Sequence, residues 1–362
     1  MDVAPAIFHG YFMPVSCGTK GLVVTIKVHP FGDYAHRQPL AYDPIRRACM
    51  PMVTITDAFD AADIILLAHT KDLERHAETL FSRLAAHQRV VLLSEEPLWD
   101  CVWAKDPITR AQVFDTEAGS LPYVYLNHVT SDIYDFERIP YFLLTDYAYP
   151  TRYGCWFMEN ARLSQQDWVA RFAGAKWDLA FVAEYRNEPR FDAAYPDAGI
   201  YGLGRWRTRL ALACTGERLL RMGSGWNELP RRQTLPDWHL EKYLDLRGRC
   251  VVLSAVENTY HRAYITEKIF DSFAIGAMPL YVAGADHRIN DLLPPGAFVN
   301  LYGLTPEAAA EQIARYTADP QGLSAYCEAQ ARLAALFNTP SLLCAEYDRL
   351  AQALTRNLAA LI

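Results

Sequence analysis

The feature that most constrains this chain is a series of short, almost wholly apolar runs: "LVVTIKV" (22–28), "MVTIT" (52–56), "DIILLA" (63–68) and "RVVLLS" (89–94). Their Val, Ile and Leu are nearly continuous rather than alternating with polar residues. A strand of that kind must be covered on both faces, as in a parallel sheet flanked by helices. Between the last two runs lies "KDLERHAETLFSRLAAHQ", with Leu73, Ala77, Leu80 and Leu84 at helical spacing. Strand, helix, strand is the α/β pattern. A second series opens at "WDLAFVA" (177–183) and a helix at 205–214 follows. It continues through "RCVVLSAVEN" (249–258), a helix at 265–276 and "MPLYVA" (278–283). "TPEAAAEQIARYTA" (305–318) reads as a threonine-capped helix and 340–362 as an amphipathic one. The stretch between the two series, about 97–170, is rich in aromatics and prolines and reads as less regular.

At 362 residues the chain is long enough for two cores. Two α/β series predict two Rossmann-like domains facing a cleft, over 1–170 and 171–340, with a C-terminal helix at 341–362 expected to pack back on the first. A composition of 51% hydrophobic and 21% charged residues is that of a globular protein. A net charge of -7 argues against a nucleic-acid binder, which is usually basic. No apolar run reaches about eighteen residues, so no membrane span is expected. The opening "MDVAPAIFHGYFMPVSC" lacks the basic start and apolar core of a signal peptide. The eight cysteines form no CxxC pair, and free thiols in a reducing cytoplasm fit best. His29, His36, His69, His128 and His287 show no ligand spacing, and "GLGRW" (202–206) lacks the third glycine of a dinucleotide fingerprint.

One stretch concentrates chemistry: "ENTYHRAYITEKIFDSFAIGAMPLYVAG" (257–284). Its polar cluster falls where a predicted strand hands over to a helix, where backbone N–H groups and the helix dipole favour an anion. Lys268, in the first helical turn, can reach a phosphate. Asn258 and Tyr264 can bond a sugar hydroxyl, and Glu267 can do the same or cap the helix. Thr266, Glu267 and Lys268 also read as an ordinary capped, solvated first turn. The apolar run after Phe270 anchors this polar rim in a core.

These residues resemble the signature of glycosyltransferase family 10, the α-1,3/4-fucosyltransferases: Glu-Asn, about six residues, Tyr-[Ile/Val]-Thr-Glu-Lys, an apolar helix and a Pro-containing strand. "LLPPGAFVNL" (292–301) resembles the segment that follows in the family. The resemblance implies a GT-B fold, with the acceptor on the first domain and GDP-fucose on the second, and inverting transfer to a saccharide hydroxyl, α-1,3 in type. It also implies donor contacts from Asn258, Tyr264, Thr266, Glu267 and Lys268. An oligosaccharide or glycolipid of a bacterial surface, such as lipopolysaccharide, is the implied acceptor, reached from the cytoplasm with at most peripheral membrane contact.

Inverting displacement needs a base on the acceptor and positive charge on the leaving diphosphate. "RVVLLS" runs into "EEP", and a carboxylate just past a strand's carboxyl end points into the cleft. Alignment with the family on the proline selects Glu95 as base, with Glu96 as the alternative. Adjacent carboxylates raise each other's pKa, which suits a base near neutrality. The family's Arg for the diphosphate falls on Arg190, or on Arg207 or Arg205 if the loop carries an insertion; Arg207 is preferred because it opens a helix. "FVAEYRNEPRF" (181–191) lacks the Ser-Asn that the family carries there. The chain has no Asp-x-Asp motif, so no metal or other cofactor is expected to be required, although a stimulatory divalent cation is compatible with the sequence. The rival readings are a GT-B transferase with another nucleotide sugar, a nucleotide-sugar isomerase, and a sugar-binding protein without catalysis.

Overall fold

The computed structural model describes residues 25–227, 234–318 and 322–362. The expected strand at 22–28 begins outside them: β1 runs Ile26–Pro30. It is followed by α1 (Asp43–Cys49), β2 (Val53–Ile55), β3 (Ile64–Leu67), α2 (Thr70–Arg83), β4 (Arg89–Leu93) and α3 (Pro97–Trp103). The first sheet has the order β2-β1-β3-β4, extended by β6 (Gly119–Leu126) and β5 (Ala111–Thr116). All its pairs are parallel except β5 with β6. Every residue of β3 is buried, as a strand covered on both faces requires.

The stretch 97–170 is more regular than its composition suggested. β5 and β6 form an antiparallel hairpin, and α4 (Ala148–Asn160) and α5 (Gln165–Ala173) follow. Strand β5 alternates exposed and half-buried residues because it is an edge strand, so it lacks the apolar run that marks the inner strands.

The second sheet is built from β7 (Trp177–Val182), β10 (Leu219–Met222), β11 (Cys250–Ser254), β13 (Met278–Tyr281) and β14 (Val299–Asn300), in the order β10-β7-β11-β13-β14 and wholly parallel. A small antiparallel sheet, β12 (Thr259–Tyr260), β9 (Ile200–Gly202) and β8 (Ala194–Tyr195), lies beside it. The helices of this half are α6 (Gly204–Ala213), α7 (Trp238–Leu246), α8 (Glu267–Ile275), α9 (Ile289–Leu292), α10 (Pro306–Ala318) and α11 (Leu323–Phe337). In each large sheet the second strand in sequence lies outside the first and the third on the other side. The switch points therefore lie between β1 and β3 and between β7 and β11. Crevices at such points are where ligands of open α/β sheets bind. The architecture is the two-domain GT-B type.

Helix α8 shows how the core holds the site. Ile269, Phe270, Phe273, Ala274 and Ile275 are buried, each large one contributing about 1.5–3 kcal/mol. The helix stops at Gly276, whose φ of 82° only glycine adopts readily, and a Cβ there would meet Trp168 at 3.0 Å. Asp271 is buried on α8 and accepts from Tyr153 of α4 (2.6 Å), while Lys242 (2.8 Å) and His239 (2.7 Å) of α7 pair with it. Burial alone would raise its pKa, but these cations hold it well below the usual carboxylate range.

Helix α12 (Pro340–Ala359) returns to the first sheet's side. Glu346, buried, accepts from the backbone N–H of Glu137 (2.7 Å), Arg138 and Ile139 (3.3 Å), and pairs with Arg349 (3.0 Å). Asn357 donates to Asp132 (2.6 Å) and accepts from Arg110 (3.0 Å). Among the described residues every cysteine is unpaired, and no helix is long and apolar enough to cross a membrane. Replacing Glu346 with Ala orphans three N–H groups and should cost about 2–4 kcal/mol. Arg356→Ala, which breaks an exposed pair with Asp132, should cost less than about 1 kcal/mol. Urea midpoints of the two variants measure the difference.

Candidate active site

Strand β4 ends at Leu93, and the chain then turns through Ser94, Glu95 and Glu96 into α3. Pro97 opens that helix, and Glu96 at the N-cap makes no side-chain capping bond, so neither carboxylate is consumed in ending the turn. Glu95 is only 7% exposed. Its Oε1 accepts from the Tyr42 hydroxyl (2.8 Å) and its Oε2 from the Tyr141 hydroxyl (2.8 Å). Burial pushes its pKa up to about 7; the two tyrosines and Arg37 oppose the shift, and the charge of Glu96 adds to it. The charge of Glu96 thus raises the pKa of Glu95 as expected, but burial is the larger cause.

The turn from β11 to α8 forms the facing wall. Glu257, buried, accepts from the Thr266 backbone N–H (2.8 Å) and hydroxyl (2.8 and 2.9 Å), and pairs with Lys268 Nζ at 3.0 Å. Lys268 also donates to Thr266 Oγ1 (2.8 Å) and lies 3.6 Å from Glu267. Thr266, not Glu267, is the N-cap of α8. The first turn is therefore buried and interlocked rather than solvated. Tyr264 is buried, its ring edge-on to those of His128 (5.4 Å) and Phe142 (5.6 Å) of the first half. Asn258 Nδ2 donates to Glu96 Oε2 at 3.5 Å, which joins the two walls.

The arginines separate by burial. Arg190 is half-exposed, pairs with Glu188 and lies 5.3 Å over the Trp103 ring. Arg205 pairs with Asp192 (2.7 Å). Arg207 is 6% exposed, and its guanidinium's only hydrogen bond among the described residues is a long one from Nη1 to the Val256 carbonyl (3.5 Å). Its Nε is buried and unbonded among those residues. Burial and the charge of Arg186 lower its pKa to about 10, which leaves it charged near neutrality. Arg186 follows β7, pairs with Glu184 (2.8 Å), lies 5.4 Å over the Trp99 ring, and has a buried Nη1 without a partner among the described residues. A buried guanidinium and a partly buried one, each with an unfilled donor among the described residues, form beside a switch point a site suited to an anion.

Sequence reading missed Arg186, Tyr42 and Tyr141. Arg186 sits in the loop where the family's Ser-Asn is absent, and the tyrosines lie far along the chain from Glu95. A group that can surround a cation, Asp33, Asp72 and His76, has ligand atoms within 4.8 Å of one another, but Arg75 already pairs with Asp33 (2.5 Å).

Residues 231–355 match the model of the glycosyltransferase family 10 (fucosyltransferase) C-terminal region. The match runs from before α7 into α12 and takes in the turn from β11 to α8. On a GT-B frame, similarity of this region to the family 10 transferases supports transferase activity. No curated protein matches its sequence. A crystal structure of an α1,3-fucosyltransferase with GDP-fucose is similar at 13% identity and a TM-score of 0.43, over 91% of this chain and 94% of that one. The same enzyme class with GDP gives 13% identity and 0.46, over 96% and 94%. Anabaena Alr3699/HepE in complex with UDP and glucose gives 13% and 0.33, over 91% and 84%. At these scores the overlaps assign no residue of this transferase.

Glu95, the carboxylate that the sequence selects as base, has its pKa raised to about 7, and in that role it sets an expected pH profile. Transfer should fall about tenfold per unit as the pH drops below that value, because Glu95 is then protonated. Tyr141→Phe removes a donor to the carboxylate, so the acid limb should move to higher pH. Rate measurements from about pH 5 to 9 locate the limb.

Proposed function

We propose that this transferase moves L-fucose from GDP-fucose to a hydroxyl of a saccharide acceptor with inversion, in an α-1,3 type linkage on a bacterial surface glycan. Glu95 takes the proton of the acceptor hydroxyl as its oxygen attacks C1 of the sugar. The bond from C1 to the diphosphate oxygen breaks, and GDP leaves with the electron pair. Arg207, Arg186 and Lys268 offset the charge that develops on it. Asn258, Tyr264, Thr266 and Glu267 orient the donor. The unpaired thiols fit work in the cytoplasm, with a lipid-linked acceptor met at the membrane face.

The observation that carries this reading is the meeting of the two walls. Asn258 of the donor turn bonds Glu96, the neighbour of a buried carboxylate poised near neutrality. A base and a donor turn that close together fit a single displacement. A second reading, with another nucleotide sugar, has support from the departure at 181–191, where Glu184 and Tyr185 stand in place of the family's Ser-Asn.

Glu95→Gln should lower kcat by roughly 10²–10⁴ while GDP affinity shifts by less than about tenfold. Glu96→Gln should be milder. Arg207→Ala should weaken GDP binding by about 1.5–3 kcal/mol, read by calorimetry on the folded variant. Full activity in both glutamine variants would remove the first-half base from this mechanism.

Because this reading assigns three cations, Arg207, Arg186 and Lys268, to the diphosphate, it calls for no divalent ion to neutralise it. Activity should largely persist in EDTA. Loss that only added Mg²⁺ or Mn²⁺ restores would show that a metal is essential.

A further inference from the structure

The crevice between β1 and β3 is not used by the mechanism above, yet it lies at the same sheet edge as Glu95. After β1, the loop bends at Gly32, whose φ of 97° brings the chain against Asp72. Asp72, buried in the first turn of α2, accepts from the N–H of Asp33 (2.9 Å) and of Tyr34 (3.4 Å). The loop is therefore fixed, and it lays the Tyr34 ring on that of His69 at 4.5 Å. His69, just past β3, lies 6.0 Å from Trp99 of α3. Rings of the β1 loop, the β3 end and the helix that follows the base form one run. Trp99 in turn sits under Arg186 of the donor half.

The charges around these rings are uneven for a chain of net charge -7. Arg37 lies 6.0 Å over the Tyr34 ring and Lys71 lies 4.0 Å over the Trp103 ring; neither has an ion pair among the described residues. Arg37 is close enough to lower the pKa of Glu95. Lys71 stands in the first turn of α2, where the helix dipole disfavours a cation. Asp33, the exposed carboxylate nearby, is already neutralised by Arg75 (2.5 Å), and Glu96 faces Asn258. Two half-buried cations without an ion-pair partner among the described residues, one of them against its own helix, are a cost to the fold that a bound anion would relieve.

We propose that the acceptor of this transferase is an acidic saccharide, its ring lying on Tyr34 and Trp99, which flank the buried His69, and its anionic group held by Arg37 and Lys71. The inference rests on the transferase reading above and deepens it. Sugar faces stack on aromatic rings, and a carboxylate or phosphate pairs with guanidinium and ammonium donors. The anion also places the acceptor hydroxyls on the Glu95 side of the crevice.

The test uses the full chain, GDP-fucose and three disaccharides that differ only in the terminal unit: glucose, glucuronic acid or glucose 6-phosphate. Either acidic form should exceed the neutral one in kcat/KM by about tenfold or more, and the better of the two identifies carboxylate or phosphate as the anion. Arg37→Gln and Lys71→Gln should each cut that ratio several-fold through KM, and Lys71→Glu should reverse it. Binding of the same disaccharides in the presence of GDP, read by saturation-transfer NMR, gives the same ranking without turnover. If GDP binds and acidic disaccharides bind but nothing is transferred, the donor reading fails while this one stands. Equal use and equal binding of the neutral and acidic forms, or a ratio unmoved in Arg37→Gln and Lys71→Gln, overturns it.

Discussion

The donor half depends on one buried carboxylate. Glu257 ends the loop after β11 and takes the backbone and hydroxyl of Thr266 and the ammonium of Lys268 in a single cluster. Burial raises its pKa, and the Lys268 charge opposes that rise. A carboxylate so placed must be bonded by what surrounds it, so the start of α8 has little freedom. The apolar face of α8 and the Asp271 network below it keep the helix from shifting to relieve the cluster. Lys268 is thus held in one position at the start of α8. A diphosphate entering there would meet a cation whose position is already set.

Helix α3 links this half to the other. It begins at the residue after Glu96, and its Trp99 and Trp103, one helical turn apart, lie under Arg186 and Arg190 of the second half. Tyr195 of β8 donates to the carbonyl of Ala104 at its end (3.1 Å). Glu95 and Glu96 and the arginines of the second half are therefore carried on elements that touch. A shift of α3 would disturb the Glu95 carboxyl and the Arg186 guanidinium together, which gives the two halves a shared geometry rather than two independent ones.

Much of the fold was legible because inner parallel strands carry a signal of their own. β3, β4, β11 and β13 read directly as apolar runs, and α2 and α8 as helical periods. The β5–β6 hairpin was not legible, since an edge strand that alternates toward solvent resembles a loop rich in polar residues. In the site, Glu95 and the 257–268 turn were visible because position after a strand end is a local property. Arg186 was hidden: it sits among charges that look like any exposed loop, and only packing under α3 buries it.

The sequence by itself determined the strand ends, and with them which carboxylates and which turn face a crevice, because strand, turn and helix are fixed by neighbours along the chain. It left open which arginine is buried, which tyrosines hold Glu95, and whether the polar first turn of α8 is solvated or interlocked. Those are matters of desolvation and long-range contact. Tyr42 and Tyr141 meet Glu95, and Asn258 meets Glu96, only when both sheets are in place. A carboxylate acquires a pKa near 7, and a guanidinium loses its water, only where the tertiary structure removes the solvent around them.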